Sequence, residues 1–286
     1  METYHALILG MIQGLTEFLP VSSSGHLALG QYIFGIKEST LFFDISLHIG
    51  TLIAVVIIFF DNIKTMFISI IQIFQILLKF NLNLNDFNKH VKENPDIRLL
   101  FLIIVGSVPT AIIGLFLKQY VDALFDSINF VGTMLIITGT FLWLTRGVKI
   151  GDVRIDDSIM NFGYKQAFFI GFCQGIAVVP GISRSGATIA AGLFAGIKRE
   201  TAAKFSFLLS IPAIIGAELL GLKDILIGDI GAVYINMATL YGTFIAFVVG
   251  YVALKVLLNI VKIGKLHFFG PYCWILGVIA IVSGVL

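Results

Sequence analysis

The chain has 286 residues and a formal net charge of only +2, with 58% hydrophobic and 13% charged residues. A soluble domain carries about a quarter charged residues, so a water-facing surface cannot be built at this size and lipid must face most of the exterior. The small net charge gives no footprint for nucleic acid, and Cys173 and Cys273, both in apolar runs, make no disulfide framework.

In chain order, the first apolar region, 4–36, is broken near its middle by Pro20-Val21-Ser22-Ser23-Ser24-Gly25. Each half is about 10–15 residues, short of the ~20 that a crossing helix needs, which predicts a re-entrant helix–loop–helix hairpin. Its start lacks the basic residues of a cleaved leader. Spans follow at 42–60, 97–117 and 128–144, with the polar stretch 79–98 as a cytoplasmic loop or interfacial helix. A cytoplasmic connector, 146–165, divides the chain into halves 1–145 and 166–286. The second half opens on another broken region, 166–197, interrupted by Pro180-Gly181-Ile182-Ser183-Arg184-Ser185-Gly186, and continues with spans at 205–222, 232–254 and 268–286. The expected fold is an all-α polytopic membrane protein with six full transmembrane helices and two re-entrant hairpins. Irregular backbone at membrane depth is tolerated only where protein or a polar cavity surrounds it.

The basic residues support this map. If both hairpins enter and leave on one side, 15 of the 19 Lys and Arg residues fall on one set of loops and three on the other, with Arg184 inside the second break. Basic loops stay cytoplasmic, which places both termini outside. The two breaks also resemble each other. Gly10-Met11-Ile12-Gln13-Gly14 aligns with Gly171-Phe172-Cys173-Gln174-Gly175, and at the same offset of 161 (171 − 10) Ser22-Ser23-Ser24-Gly25 aligns with Ser183-Arg184-Ser185-Gly186. Each break precedes three spans. Three is odd, so the halves form an inverted-topology repeat whose hairpin tips meet near the midplane, an arrangement also used by transporters to bind substrate.

The tips carry the chemistry. Ionisable groups inside a membrane are costly and are functional candidates by default. The first tip offers Gln13, Glu17, Ser22, Ser23, Ser24 and His26; the second offers Ser183, Arg184, Ser185 and Thr188. Gly25 and Gly186 allow close backbone approach, the following half-helices aim N–H groups at the tip, and Arg184 can grip phosphate oxygens through its fork of donors. Gln13 and Glu17 share a helix face at i, i+4. Glu17 could hold a divalent cation or act as a base, and His26 as acid, base or nucleophile. The plainer alternatives are a Glu17–Arg184 pair that only stabilises the tips, serines that only cap helices, and a structural histidine. Asp44 and His48, again at i, i+4, line the outer mouth or cap their helix, while Glu218 reads as interfacial.

Gln13-Gly14-Leu15-Thr16-Glu17-Phe18-Leu19-Pro20-Val21-Ser22-Ser23-Ser24-Gly25-His26 resembles the (E/Q)xxxE motif of the bacterial undecaprenyl-diphosphate phosphatases of the bacitracin-resistance type. Pro180-Gly181-Ile182-Ser183-Arg184-Ser185-Gly186-Ala187-Thr188 resembles that family's PGxSRSGAT motif. The resemblance implies hydrolysis of undecaprenyl diphosphate to the monophosphate in the bacterial plasma membrane, recycling the lipid carrier of cell-wall synthesis, with a divalent metal (Mg²⁺ or Ca²⁺) and a site open to the outer face. It makes Glu17, Ser23, His26 and Arg184 the catalytic candidates. Ser22, Ser24, Gly25, Ser183, Ser185, Gly186 and Thr188 become phosphate-binding candidates, and Glu17 with Gln13 the metal ligands. Many members carry Glu where Gln13 stands, so a two-carboxylate metal site is in question. The nucleophile is left open between Ser23, His26 and water, and both a monomer and a homodimer are compatible. A flippase of the phosphorylated carrier, or an ion-coupled transporter, would present similar binding groups.

Overall fold

The computed structural model describes residues 2–36, 41–79, 91, 93–125, 127–148, 162–227 and 236–285, and the regular structure among them is entirely helical. The first broken region forms α1 (Thr3–Phe18) and α2 (Ser23–Ile33), followed by α3 (Leu41–Ile58), α4 (Phe60–Lys79), α5 (Pro95–Phe125) and α6 (Ile128–Leu144). The second forms α7 (Tyr164–Ile176) and α8 (Arg184–Phe194), followed by α9 (Arg199–Ile227), α10 (Met237–Lys262) and α11 (Phe269–Val285). Six helices among the described residues are long and apolar enough to cross a membrane: α3, α5, α6, α9, α10 and the segment Leu266–Gly284, which holds all but the last residue of α11. These match the six predicted spans. Most of the polar stretch 79–98, most of the connector 146–165 and the first residues of the span 232–254 lie outside the described residues.

Local chemistry ends the short helices where the sequence breaks. Leu19 precedes Pro20, whose ring disfavours helical backbone on its predecessor, and Leu19 is extended at φ −59°, ψ 139°. The chain turns through Pro20 and Val21, and α2 starts at Ser23, so Ser23, Ser24 and Gly25 form its first turn instead of lying in the loop. In the second break Gly181 takes φ 91°, a left-handed value that costs glycine nothing. Ser183 then caps α8, its Oγ accepting the Gly186 N–H at 3.1 Å. At the other extreme, α10 runs past the predicted end at 254 to Lys262. Lys255 interrupts the apolar window but not the helix, its ammonium lying 4.3 Å from the Tyr251 ring centre.

One helix is additional to the predicted elements. α4 follows α3 after a single turn residue, and its Phe67, Ile70, Ile71 and Phe74 are exposed. The same segment carries Asp61, Asn62, Lys64, Gln72 and Gln75. Apolar residues recurring at three- and four-residue spacing among polar ones are the signature of an amphipathic helix, so the signal was present in a stretch too polar to register as a span.

Close helix contacts hold the molecule together. α1 packs along α10, where a Cβ on Gly14 would lie 2.8 Å from the Ala246 carbonyl oxygen and one on Gly10 would strike the Gly242 backbone. α7 packs along α5 in the same manner, with Gly171 against the Gly106 backbone and Gly175 2.8 Å from Ile113 Cβ. α6 and α11 cross through Gly132 and Gly277, each pressed on the other's carbonyl. Lipid supplies no hydrophobic drive between helices, so small residues that let backbones approach carry the packing. Phe18, Phe205, Phe207, Ile170 and Ile189 are fully buried at the centre, and Phe18 and Phe207 meet edge-on at 5.9 Å. This aromatic floor lies next to Glu17 in the chain and anchors the turn above it.

Candidate active site

The two helix–turn–helix units touch at their turns. A Cβ on Gly186 would come within 3.1 Å of Pro20 Cβ. Each turn is tied to a long helix of the other half: Cys273 Sγ of α11 lies 3.6 Å from the Pro20 carbonyl, while Thr138 Oγ1 of α6 donates to the Gly181 carbonyl at 3.0 Å and accepts the Ser183 N–H at 3.2 Å. These anchors fix where the adjacent side chains can reach.

Glu17 is the hub. It sits on the last turn of α1 with its side chain 7% exposed. Its Oε1 accepts Arg184 Nη2 at 2.6 Å, from the first residue of α8. Its Oε2 accepts the Ser23 hydroxyl at 2.7 Å and Gln13 Nε2 at 3.0 Å. One carboxylate thereby joins a guanidinium from one hairpin to a hydroxyl from the other. Two polar atoms beside it are buried without a partner, Arg184 Nη1 and Gln13 Oε1. Unsatisfied buried donors and acceptors are rare and call for an explanation. Here one is a cationic N–H suited to an anion and the other an oxygen suited to a cation or donor.

The turn itself is strained. Ser22 has φ 68°, the single non-glycine residue with positive φ among those described, at a cost of about 1–3 kcal/mol. Its side chain makes no capping bond to α2; its Oγ instead meets Ser24 Oγ at 3.2 Å. The first amides of α2 therefore have no side-chain cap, next to Ser23 and Arg184. A Cβ on Gly25 would meet only ordinary contacts, Ser22 Oγ and Val131 Cγ1 at 3.5 Å.

His26 is held at both ring nitrogens. Its Nδ1 is 2.8 Å from the Ser22 carbonyl and its Nε2 is 2.7 Å from the Tyr272 hydroxyl. A carbonyl only accepts, so Nδ1 carries the proton and, in the neutral ring, Nε2 accepts from Tyr272. Ser23 is thus paired with Glu17, and His26 braces the strained turn. Ser183 and Ser185 lie within 3.3 Å of each other in the first turn of α8. Thr188 is fully buried, bonded to Ser206 Oγ at 2.5 Å and to the Arg184 carbonyl at 2.8 Å, so it fastens α8 to α9.

Glu218 and Tyr272, which the sequence did not assign to the site, join it, together with His48 and Asp44, which it placed at the outer mouth or as helix caps. His48 Nε2 lies 3.8 Å from Glu17 Oε2, and its Nδ1 is 3.2 Å from Glu218 Oε1. Glu218 is therefore turned inward, its side chain 15% exposed; the cost of a carboxylate facing lipid was the available signal. Asp44 bonds Gln31 of α2 at 2.9 Å. Tyr272, 246 residues from His26, had no local signal at all. Among the described residues no group of three or more His, Cys, Asp or Glu side chains is placed to hold a metal ion.

The chain is similar to proteins named undecaprenyl-diphosphatase. It is 55% identical to that of Desulforapulum autotrophicum over 99% of both chains, and 52% identical to that of Desulfosudis oleivorans over 99% of both. The Carboxydothermus hydrogenoformans protein is 45% identical over 99% of this chain and 97% of its own. Residues 6–279 match the family model described as Bacitracin resistance protein BacA. With both diagnostic turns meeting at one buried carboxylate, and likeness over nearly the whole length, the chain belongs to the bacitracin resistance protein BacA family.

Proposed function

We infer that the chain is an undecaprenyl-diphosphate phosphatase: a membrane enzyme that hydrolyses undecaprenyl diphosphate to the monophosphate and inorganic phosphate. It recycles the lipid carrier of cell-wall synthesis and confers bacitracin resistance. The observation that carries the chemistry is the hub at Glu17, where Arg184 and Ser23 arrive from different hairpins and Arg184 Nη1 is left unpartnered.

The diphosphate headgroup binds between the turns. Arg184 uses its free N–H on the terminal phosphate, and the uncapped first amides of α2 receive further oxygens. Gly25 is not demanded by packing, so its missing side chain serves ligand approach. Glu17 Oε2 takes the proton of Ser23 as Ser23 Oγ bonds to the terminal phosphorus; the bridging P–O bond breaks and the lipid monophosphate leaves. Glu17 gives that proton to the departing monophosphate; a water then gives a proton to the freed carboxylate as its oxygen bonds to phosphorus, the Ser23 Oγ–P bond breaks, and Glu17 returns the proton to Ser23 Oγ as phosphate leaves. His26, held by Tyr272, keeps the Ser22 turn in place. Most of the rate comes from positioning and charge stabilisation.

The residues present fit a divalent cation recruited with the substrate. Glu17 and the free Oε1 of Gln13 would hold Mg²⁺ or Ca²⁺. When bound, such an ion neutralises charge on the diphosphate. Gln13 brings no charge, so this pair is weak without the lipid's own phosphates.

The two helix–turn–helix units are re-entrant, entering from opposite sides of the membrane within an inverted repeat, with the termini and the site mouth outside. The crossed packing of α1 on α10 and α7 on α5, at glycines with the same offset of 161 (171 − 10), supports this, as does the distribution of basic residues. Cysteines placed singly in the loops and labelled from outside would read the orientation directly.

The decisive assay is phosphate release by purified protein in detergent, given undecaprenyl diphosphate and Mg²⁺ or Ca²⁺, with and without chelator. Release that the chelator abolishes is expected. Folded protein that releases no phosphate, yet moves the monophosphate lipid across vesicles, would replace hydrolysis with transport. Release that survives chelation removes the metal.

A further inference from the structure

Away from the two turns, α4, α5 and α9 enclose a hollow of about 540 Å³. Ile63 and Ile70 mark its extent on α4, Leu100 and Ala111 on α5, and Leu208 and Pro212 on α9. Ser107 and Ala111 are the smallest side chains of its wall. The Ser107 hydroxyl is taken up by its own helix, donating to the Ile103 carbonyl at 2.8 Å. Water needs several polar partners, and this wall offers none. The hollow opens on the lipid side. Phe67, Ile70, Ile104 and Val108 belong to its wall and are exposed. α5 is long and apolar enough to cross a membrane, and Ile112 and Phe116 continue the same exposed apolar surface along it. Hydrocarbon therefore has direct access, and filling the hollow supplies the dispersion contacts that its walls otherwise forfeit.

Polarity and length identify the hydrocarbon. Charged groups gather at one end only. Lys64 lies between Ile63 and Met66 of the wall, Lys204 stands one turn before Leu208, and Asp96 one turn before Leu100. Asp96 accepts the Thr65 hydroxyl at 3.2 Å, and Asp61 lies one turn before Lys64, so two ammoniums stand among two carboxylates. The other end meets only apolar chain, because 99–117 of α5 and 205–217 of α9 contain no charged residue. From Leu100 to Ala111 α5 rises about 16 Å, against about 15 Å for half of a bilayer's hydrocarbon core. One polar end and one leaflet of apolar depth match a phospholipid, with its phosphate at the lysines and an acyl chain in the hollow. The long prenyl chain of the substrate fits less well: its headgroup binds at Glu17 and Arg184, and no residue of that site borders the hollow.

We propose that α4, α5 and α9 form a binding site for a glycerophospholipid of the membrane, with one acyl chain lodged between the helices and the phosphate held by Lys64 and Lys204. The orientation given under the proposed function sets only which leaflet supplies the lipid, the cytoplasmic one; the site itself does not depend on the phosphatase reading. Hydrocarbon gains nothing hydrophobic by leaving a bilayer, so the hold comes from wall contacts and from the lysines, each worth about fivefold in affinity for an anionic headgroup. α4, too polar to span, is the wall that completes the site.

The test is native mass spectrometry of the full chain in detergent micelles, titrated with phosphatidylglycerol, phosphatidylethanolamine and undecaprenyl phosphate, singly and in competition. The unmodified protein is expected to bind one phospholipid saturably. Ala111→Phe puts a large side chain at an exposed position of the wall and is expected to weaken that binding about tenfold. Lys64→Gln and Lys204→Gln are each expected to weaken phosphatidylglycerol binding about fivefold. Ile112→Phe, exposed and just outside the wall, is expected to bind as the unmodified protein does. Added phospholipid should raise the unfolding temperature of the unmodified protein and of Ile112→Phe, and not that of Ala111→Phe. Phospholipid binding by Ala111→Phe at full affinity overturns the proposal, as does the lack of saturable binding by the unmodified protein. Undecaprenyl phosphate that displaces the phospholipid, and that Ala111→Phe no longer binds, overturns it in favour of the prenyl chain. If Ala111→Phe does not accumulate folded, the lysines decide: a Lys64→Gln, Lys204→Gln double variant that binds phosphatidylglycerol at full affinity overturns the proposal. Phosphate release by the same samples separates the levels, since a chain that binds the phospholipid and releases no phosphate loses only the proposed function.

Discussion

The two hairpin turns are built to one pattern and have been given different work. At the offset that aligns Gly10 with Gly171, Glu17 corresponds to Val178, Ser23 to Arg184 and His26 to Ala187. The first turn supplies carboxylate, hydroxyl and imidazole; the second supplies a guanidinium and little else that reacts. Their backbones differ to match. The second bends through Gly181 at φ 91° and caps its helix with Ser183, so its backbone is relaxed. The first bends through Ser22 at φ 68° and leaves its helix without a side-chain cap. The positive φ and the helix without a side-chain cap both fall in the first turn, where the proposed function puts the diphosphate, and the relaxed turn presents one cation.

This contrast can be broken at several points. The largest effect is expected from Arg184→Ala, which removes the second turn's contribution: kcat/KM for phosphate release should fall by about 10²–10³, while membrane insertion persists. Near-normal turnover would mean that the first turn works alone. A Cβ on Gly186 would lie 3.1 Å from Pro20 Cβ and Ser183 Oγ, so Gly186→Val overfills the contact between turns and should lower stability by about 1–3 kcal/mol in thermal unfolding in detergent. Gly25, in the equivalent position of the first turn, has room around it. Gly25→Ala should leave the unfolding temperature nearly unchanged while reducing phosphate release about tenfold, about 1.4 kcal/mol of transition-state binding. A Gly25→Ala enzyme of full activity would put the phosphate elsewhere. The smallest effect is expected from Ser22→Gly, which relieves the positive φ and should raise stability by about 1 kcal/mol. A loss of stability there would show that the Ser22 hydroxyl contributes more than the strain removes.

Much of this was legible along the chain, for reasons specific to particular residues. Apolar windows of membrane length reveal themselves without tertiary context, so α3, α5, α6, α9 and α10 lie where hydropathy puts them. Pro20 and Pro180-Gly181 mark the turns because they act on their own backbone. Glu17 and Arg184 stood out because ionisable groups are expensive in such surroundings. α4 escaped because its polar residues dilute the average while its spacing, not its mean, carries the helix signal. His48, Glu218 and Tyr272 were ambiguous or silent, since each acquires meaning only from a partner on another helix, Tyr272 from one 246 residues away.

Sequence alone determined the class of solvent, the number of apolar helices, the two breaks, and the residue types that could meet a phosphate, because each depends on composition or on short-range backbone chemistry. Tertiary structure decided the pairings: that Ser23 bonds Glu17 while His26 bonds Tyr272, and that Glu218 turns inward to His48. The physical reason is that a hydrogen bond is set by three-dimensional distance and direction, and here the glycine-mediated packing of helices from distant parts of the chain sets both.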